Sequence, residues 1–386
     1  MRRIFICGSF SFPRSGATSN YVQYFGMALK ECGYEVHIVS LKNSECRWSR
    51  YKDLIIDEIR YRSGRFMHYM DFKTGLNRAT IKCLKTQDLG DNDIVIVYSH
   101  NLWLHQSVRH FCKKNGAKVG AVVVEYFPKE EFLNKFDFFL YQILMKKAIP
   151  NYDFIFPIST YIEKKLSGGR AKQMVLPILA DPYEYEHKEK TLDGTRRFIF
   201  PANGKMKDAL ENMVLAIGEV LRESKVCVEF HFCGVKKHDI LKILKIHEED
   251  ELDPRIIVHD WLDYQELIYL YQKMDFLLLA RDINEMTKAN FPSKVPEVMT
   301  YGVIPIASRV GDYTKYYLID NINSVLMQGC NKEVIVSAIE RALELSDSDI
   351  MHMADACVDT ITNQFDYRNW TEKIKDFLEQ IYDNKN

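Results

Sequence analysis

The chain has 386 residues, of which 47% are hydrophobic and 27% are charged, and its formal net charge is -1. A chain of this length suits two domains of ordinary size, and no stretch reaches the roughly 18 uninterrupted apolar residues of a membrane span. The balanced charge argues against a general nucleic-acid-binding protein. The chain contains neither a Gly-x-Gly-x-x-Gly run nor a P-loop, so NAD binding and ATP hydrolysis are not indicated.

The start of the chain and the cysteines both indicate a reducing compartment. The apolar run after the first residues is interrupted at Ser9, Pro13 and Arg14, so we interpret it as a strand and not as a signal peptide. The 9 cysteines are scattered and form no Cys-x-x-Cys pair, which favours neither a disulfide framework nor a zinc site. We therefore expect a cytoplasmic protein.

The first half of the sequence alternates between strand and helix patterns, which predicts a parallel sheet. The predicted strands are residues 3–8, 35–41, 93–99, 117–125 and 153–159, and the predicted helices are residues 21–31, 102–114 and 160–166. Gly16, in the loop before the first helix, permits a ligand to approach the backbone at a helix N-terminus. Residues 99–101 and Glu125 stand at strand ends, where parallel sheets bind ligands, although hydrogen-bonded structural carboxylates are equally common there.

Two segments of the first half are open to two interpretations. Residues 47–78 combine basic and aromatic side chains, a pattern typical of solvated charge but also of a surface that meets anionic headgroups or a phosphate-bearing acceptor. Residues 132–148 predict a helix that is apolar on nearly every side. This pattern favours burial of Phe136, Phe139 and Ile143 in the core over contact with a membrane surface.

The second half begins after a polar linker at residues 181–194 and repeats the alternation. The predicted strands are residues 198–201, 226–233, 255–259, 276–280 and 324–327, and the predicted helices are residues 209–223, 238–248 and 264–273, with further helices to residue 382. Asp263 and Glu266 have the spacing of a capping box. The sequence therefore predicts domains at residues 1–180 and 195–365, and the C-terminal helix at about 366–386 is expected to pack back on the first.

Residues 291–308 predict a turn, a short helix and a buried strand in immediate succession. The turn is closed by Pro292, and the helix ends at Gly302, a residue type that accepts the left-handed conformation. The first-turn amides and the ammonium group of Lys294 favour a phosphate, and Glu297 offers acceptors to neighbouring hydroxyl groups. A phosphate site beside a diol site indicates a nucleotide sugar, although an ordinary helix–strand joint has the same pattern.

This run resembles the donor-site motif of retaining glycosyltransferases of family 4, in which a Pro-Ser-Lys turn precedes a Glu-x-Met-x-x-Gly-x-Pro-x-x-Ala-Ser segment. Glu297, Met299 and Gly302 fall in register with that pattern, and Pro305 falls one position later. The resemblance implies an α/β protein with two Rossmann-like, doubly wound parallel-sheet domains that face a cleft, the GT-B architecture. It also implies that the first domain binds the acceptor and the second binds the nucleotide sugar.

The resemblance implies roles for individual residues. Lys205 and Lys207 follow the first strand of the second domain, where the family places an Arg and a Lys that hold the diphosphate. Glu297 matches a glutamate that clamps the ribose hydroxyls, and Glu125 stands near the place of a catalytic His or acid. These four are the expected catalytic residues. The other expected ligand contacts are Gly16, Asn203, Gly204, Phe291, Pro292, Ser293 and Lys294.

The sequence also departs from the family pattern on the side of the donor sugar. A first glutamate is expected eight positions before Glu297, where this chain has Ala289. Glu285 is the nearest acid upstream, and it can replace the missing glutamate only if the intervening loop is longer than usual. Backbone amides at residues 291–294 are the other candidates for this contact.

Two acidic runs resemble metal sites but have simpler explanations. Asp91-Asn92-Asp93 has the form of an Asp-x-Asp motif, yet it stands in a turn before a strand, where Asn and Asp are common. Ser346 and the aspartates that follow it are typical of a helix start. We expect no metal and, apart from the donor, no cofactor.

The resemblance implies a retaining glycosyltransferase of the hexosyltransferase type, which we expect to be cytoplasmic and metal-independent. Its expected donor is a UDP- or GDP-linked sugar, and its expected acceptor is a glycan or lipid-linked molecule of bacterial surface polysaccharide or glycolipid synthesis. A lipid-linked acceptor would add peripheral contact with the anionic inner face of the membrane, and no nucleic-acid partner is expected. The alternatives are a catalytically silent protein that binds a nucleotide sugar or a partner, suggested by Ala289, and a GT-B epimerase of nucleotide sugars.

Overall fold

The structure is a computed structural model that describes residues 2–42, 49–186, 190–204, 207–223 and 226–383. The chain divides into two compact units, Met1–Leu179 with Tyr367–Asn386, and Ala180–Asp366. Among the described helices, none combines the length and the apolar character that crossing a bilayer requires.

The first unit contains a sheet whose described strands are parallel except for one short pair at its edge. These strands are β1 (Arg3–Phe12), β2 (Glu35–Lys42), β3 (Arg50–Tyr51), β4 (Leu54–Ile59), β5 (Ile94–Val97), β6 (Lys118–Val123), β7 (Phe154–Pro157) and β8 (Lys172–Gln173). Within the described residues they pair in the order β3-β4-β2-β1-β5-β6-β7-β8, and β3 runs antiparallel to β4. The sequence pattern misses β3 because a strand of two residues leaves no periodicity to detect.

Helices join the parallel strands of the first unit. They are α1 (Ala17–Glu31), α2 (Arg65–Lys73), α3 (Asn77–Thr86), α4 (Leu102–Asn115), α5 (Lys135–Ile143) and α6 (Thr160–Leu166). The described part of the basic and aromatic segment thus forms β3, β4, α2 and the start of α3, while Arg47 and Trp48 lie outside the described residues. The predicted burial of Phe136 and Phe139 is wrong, because both rings are exposed and Tyr141 forms the buried side of α5.

The sheet of the second unit is parallel throughout its described strands. These are β9 (Arg196–Phe200), β10 (Val228–Cys233), β11 (Ile256–His259), β12 (Phe276–Leu279), β13 (Ile304–Ser308) and β14 (Val325–Met327), paired in the order β11-β10-β9-β12-β13-β14. The ring of Phe198 on β9 stacks on those of Phe230 and Phe276, at centroid distances of 4.8 Å and 4.9 Å. Stacked rings on three neighbouring strands form the core of this sheet.

The helices of the second unit are α7 (Leu210–Glu223), α8 (Lys237–Leu244), α9 (Tyr264–Tyr271), α10 (Glu285–Ala289), α11 (Lys294–Met299), α12 (Lys332–Leu343) and α13 (Asp347–Thr360). Side-chain caps begin α9, α10, α12 and α13, whereas α8 and α11 begin without one. The predicted capping box is confirmed, since Asp263 and Glu266 exchange hydrogen bonds of 2.8 Å. The last helix, α14 (Thr371–Asp383), belongs to the first unit, where the ring of Phe377 packs 5.2 Å from that of Phe156.

Candidate active site

Loops of the second unit meet at one edge of its sheet, because the carboxyl ends of parallel strands lie together. Gly234, directly after β10, packs against the loop after β9, and a β-carbon at this position would stand 3.4 Å from the Ala202 carbonyl oxygen. α11 reaches the same edge, because its Lys294 ammonium group lies near Cys233 at the end of β10. Burial raises the pKa of Cys233 to about 12, and the positive charge of Lys294 opposes this shift. The edge therefore brings residues of β9, β10 and α11 into one region.

The turn into α11 presents fewer amide donors than the sequence predicts. The Val295 amide donates to the Pro292 carbonyl oxygen at 3.1 Å, and Pro296 has no amide hydrogen. Within the described residues, the amides of Ser293 and Lys294 are the first-turn donors without a protein acceptor. These two amides are therefore the ones that a phosphate or sugar oxygen can use.

Glu297 lies on α11 with 11% of its side chain exposed. The Lys294 ammonium group donates to both carboxylate oxygens, at 3.2 Å to Oε2 and 3.4 Å to Oε1. The buried hydroxyl group of Tyr271 donates to Oε1 at 3.4 Å. The residues predicted to hold the phosphate and the ribose are thus partners of each other, and these contacts are longer than the usual length of about 2.9 Å.

Three tyrosine side chains lie near the Glu297 carboxylate. Burial raises the pKa of Tyr264, Tyr271 and Tyr301, and the negative charge of Glu297 raises each of them further. These hydroxyl groups stay protonated at neutral pH, and that of Tyr271 is the one that donates to Glu297 among the described contacts.

The loop after β9 contains the predicted contacts Asn203, Gly204 and Lys207, whereas Lys205 lies outside the described residues. Gly204 has a φ of 68°, and a β-carbon there would stand 2.5 Å from a methyl group of Leu210. The position therefore requires glycine. Lys207 is half-buried on this loop, close to the start of α7.

Asp208 stands where the family pattern has glycine, and it forms an ion pair that sequence reasoning misses. Its carboxylate accepts from the Arg281 guanidinium group at 2.8 Å, and the two side chains are 6% and 8% exposed. Arg281 also donates to the side-chain oxygen of Asn290 at 2.9 Å, directly before Phe291. The guanidinium group thus joins the loop after β9 to the turn before α11. The signal in the sequence is a charged residue that immediately follows a fully apolar strand.

The sugar side of this edge contains a short helix and a buried aromatic ring. The candidate Glu285 and the alanine at the expected glutamate position, Ala289, are the first and last residues of helix α10. The side chain of Phe291 is buried, and its ring lies 5.7 Å from each of the rings of Tyr317 and Phe365. Only the backbone of Phe291 is therefore available to a ligand.

The first unit gathers its predicted residues at the carboxyl edge of its own sheet. Gly16 precedes α1 with a φ of 84°, and in the first turn of this helix the Thr18 hydroxyl group lies 3.4 Å from the hydroxyl group of Tyr98, which follows β5. Burial raises the pKa of Tyr98 to about 12, the Thr18 contact lowers it, and the charge of Glu125, beyond β6, raises it. Tyr98 therefore stands between Gly16 and Glu125, and sequence reasoning misses it.

The acidic runs have structural partners. Asp93 accepts from the Arg3 guanidinium group at 2.7 Å and from the Gly90 amide at 2.8 Å. Ser346 accepts from the Asp349 amide at 3.2 Å, which confirms the predicted helix start. Across the part of the chain that the structure describes, no three His, Cys, Asp or Glu side chains are grouped as metal ligands.

A comparison with protein families matches the region that builds this edge of the second unit. Residues 195–345 match a family model described as "Glycosyl transferases group 1". The matched range includes the loop after β9, the ends of β10 and β12, and the whole of α11. A comparison with curated protein sequences finds no match.

Solved structures share the fold over nearly the full chain at low sequence identity. Sucrose-phosphate synthase from Thermosynechococcus elongatus has a TM-score of 0.76 at 11% identity, covering 99% of this chain and 100% of that chain. A glycosyltransferase from Rickettsia africae gives 0.70 at 13% identity, covering 100% of both chains. Anabaena HepE, solved in complex with UDP-glucose, gives 0.69 at 11% identity, covering 98% of this chain and 100% of that chain. The expected α/β fold with two parallel-sheet domains, the GT-B fold, is confirmed.

Proposed function

We propose that the protein is a retaining glycosyltransferase, similar to those of family 4, that binds a UDP- or GDP-linked hexose at the carboxyl edge of the second unit's sheet. The observation that supports this best is the pair of Lys294 and Glu297, a cation and a carboxylate held together on α11. The family match includes every residue of this edge. One structural neighbour was solved with UDP-glucose, which is the donor class we propose.

The chemistry of glycosyl transfer explains why these residue types are needed. The reaction passes through an oxocarbenium-like state while the diphosphate leaves, so negative charge develops on phosphate oxygens. Lys205 and Lys207, in the loop after β9, and Lys294, on α11, supply cations for these oxygens, and the amides at the start of α11 supply fixed donors. When Lys294 turns to the phosphate, Glu297 is left to accept from the ribose, and the Tyr271 hydroxyl group holds the carboxylate in place.

The first unit is the proposed acceptor side. Glu125 is half-buried beyond β6, where its carboxylate can accept from an acceptor hydroxyl and orient it. Gly16 leaves open space beside the start of α1, since a β-carbon there would meet no atom within 4 Å. We place the reaction in the cytoplasm, with a glycan or lipid-linked acceptor of bacterial surface polysaccharide or glycolipid synthesis.

One observation favours a second candidate function. Ala289 is fully buried at the position where the family has its first glutamate. A methyl group cannot hydrogen-bond the donor sugar, and a protein that lacks this contact is a candidate for binding a nucleotide sugar without turning it over.

A panel of UDP- and GDP-linked sugars separates these functions. With cell extract as the source of acceptor, mass spectrometry is expected to show one donor consumed and a product heavier by that sugar, with EDTA present or absent. Donor binding without turnover would support the silent protein. Interconversion of the donor with an epimer of equal mass in the absence of extract, resolved by chromatography, would support an epimerase. Activity lost in EDTA and restored by magnesium or manganese would contradict a scheme in which lysines and amides stabilise the leaving diphosphate.

A further inference from the structure

Two helices of the first unit expose aromatic side chains that globular proteins usually bury. On α2, Phe66 is 69% and Phe72 is 64% exposed, and on α5, Phe136 is 63% and Phe139 is 57% exposed. Further exposed apolar side chains on these helices and just before α5 are Met67, Tyr69, Met70 and Leu133. Exposed apolar side chains concentrated in this way indicate a surface that binds another protein or a membrane.

The opposite side of each helix is anchored to the unit. Asp71 on α2 is buried and accepts from the Arg62 amide at 2.8 Å and from its guanidinium group at 2.7 Å. Tyr141 on α5 is buried, and its hydroxyl oxygen accepts from the Phe127 amide at 3.0 Å. The exposed rings are therefore displayed on a fixed surface.

The two helices form one surface, which we call the α2–α5 surface. Lys73, at the end of α2, pairs with Asp137, in the first turn of α5, at 3.7 Å. The Lys73 carbonyl oxygen also accepts from the side chain of Asn101, the residue that caps α4, at 2.8 Å. Because α2 follows β4 and α5 follows β6, this surface stands at the carboxyl edge of the sheet, where Gly16 and Glu125 also lie.

Positive charge is concentrated along one side of this surface. Residues 60–78 contain one carboxylate, Asp71, and the cations Arg60, Arg62, Arg65, Lys73 and Arg78. Three of these cations have carboxylate partners, Arg62 with Asp71, Arg60 with Glu58 and Lys73 with Asp137. Arg65 and Arg78 are exposed and carry the remaining positive charge. Around α5 the charges are mixed, with Lys129, Lys135, Glu130, Glu131 and Asp137. The net positive charge therefore stands beside the exposed rings of α2.

We propose that the α2–α5 surface binds the headgroup region of an anionic lipid bilayer. Exposed rings bordered by Arg and Lys have the composition that partitions into this interface, where rings enter the acyl boundary and cations meet lipid phosphates. A second copy of the chain fits less well, because two such surfaces would bring the cations of α2 against each other. A bilayer at this surface delivers a lipid-linked acceptor to the edge that holds Glu125, a consequence that rests on the proposed function.

Sedimentation of the full chain with lipid vesicles tests the proposal. We expect binding to phosphatidylcholine vesicles that contain phosphatidylglycerol, much less binding to phosphatidylcholine alone, and a falling bound fraction as salt rises from about 0.05 to 0.5 M. Arg65→Glu combined with Arg78→Glu reverses two exposed cations and is expected to lower the partition coefficient at least about tenfold. Phe66→Ser combined with Phe72→Ser is expected to abolish binding.

Matched variants elsewhere on the chain control for altered net charge and hydrophobicity. Lys113→Glu combined with Lys114→Glu changes exposed lysines at the far end of α4, and Ile319→Ser combined with Ile322→Ser removes exposed apolar side chains of the second unit. Both control pairs are expected to bind vesicles as the parent chain does. Circular dichroism of each variant shows whether it folds.

Three outcomes would overturn the proposal. The first is the absence of binding to anionic vesicles at low salt, and the second is an equal loss of binding in the control pairs. The third is self-association of the parent chain, without vesicle binding, that the Phe66 and Phe72 substitutions abolish. The last outcome would assign the α2–α5 surface to a second copy of the chain. Vesicle binding is measured without donor or acceptor, so its failure is distinguishable from failure of the proposed function.

Discussion

The carboxyl edges of the two sheets are built in opposite ways. In the second unit, charged side chains at this edge pair with one another, Lys294 with Glu297 and Arg281 with Asp208. In the first unit, α2 and α5 turn aromatic rings such as that of Phe66 toward solvent. A small charged ligand can replace the contacts within such ion pairs, whereas exposed rings are buried only when they meet a large apolar surface. We infer that the first arrangement suits a soluble donor and the second suits an acceptor held on a membrane.

The largest expected effect comes from breaking the ion pair that holds the second unit's edge together. Asp208→Ala leaves the Arg281 guanidinium group buried without its carboxylate, and such a loss costs about 3–5 kcal/mol of the free energy of unfolding. Urea unfolding measures this cost. Arg309→Ala removes an exposed partner of Asp320 and serves as the control, with an expected cost below about 1 kcal/mol. Equal costs for both variants would show that the buried pair does not organise this edge.

The next effect tests whether the paired carboxylate serves a ligand. Glu297→Gln keeps the shape of the side chain but removes its charge, and a charged hydrogen bond contributes about 1.5–3 kcal/mol, so donor affinity and transfer rate are expected to fall at least about tenfold. Calorimetry with the donor gives the affinity. Glu333→Gln, at a carboxylate that is 72% exposed in the same unit, is expected to change neither quantity. An unchanged affinity in the Glu297 variant would exclude the ribose contact.

Substitutions of the lysines in the loop after β9 test which residues bind the diphosphate. Lys205→Ala and Lys207→Ala each remove a cation, so each is expected to lower turnover about tenfold while changing the thermal midpoint little. Lys242→Ala, at an exposed position on α8, is the matched control and is expected to keep full activity. Full activity in all three variants would show that these lysines are only solvated charge.

The smallest expected effect is a pH response of opposite sign for two histidines, His37 in the first unit and His231 in the second. Burial lowers the pKa of His37, but hydrogen bonds with Asp57 and Glu35 outweigh burial and leave this pKa raised above its usual 6.5. Burial and the neighbouring His259 leave the pKa of His231 lowered. Protonated His37 therefore stabilises the folded state below pH 6.5, and this contribution is lost as the pH rises through the raised pKa. The contribution of His231 is present above pH 6.5 and is lost as the pH falls through its lowered pKa.

Urea unfolding at pH of about 5.5 and about 8 measures this difference. His37→Gln is expected to lose more stability at the lower pH than at the higher, and His231→Gln is expected to show the reverse. Each difference is expected to stay below about 1.4 kcal/mol, the free energy of one pKa unit. The same pH response in both variants would contradict the opposite pKa shifts of these two histidines.

Features that depend on neighbouring residues could be predicted, whereas those that join distant residues could not. Asp263 and Gly302 act within one turn of their helices, so their roles are visible in the sequence. The pair of Asp208 and Arg281 joins positions 73 residues apart, so the sequence marks Arg281 as a charge after an apolar strand but does not show its partner. α2 buries one residue, Asp71, among its described positions, so it lacks the apolar periodicity by which a helix is recognised. The donor motif was therefore recognisable from the sequence. By contrast, the sequence left membrane contact open beside solvated charge for the segment of α2 and beside burial for that of α5, until the structure showed their rings exposed.

Hydrogen exchange of backbone amides, with and without the nucleotide sugar that the protein turns over, tests the central claim most directly. We expect bound donor to slow exchange in the loop at residues 202–208 and at residues 291–297, the turn and helix that contain the Lys294 and Glu297 pair. Exchange in α2 and α5 is expected to stay unchanged. Slower exchange confined to the first unit, or none anywhere while the donor is being consumed, would contradict a donor site at the carboxyl edge of the second unit's sheet.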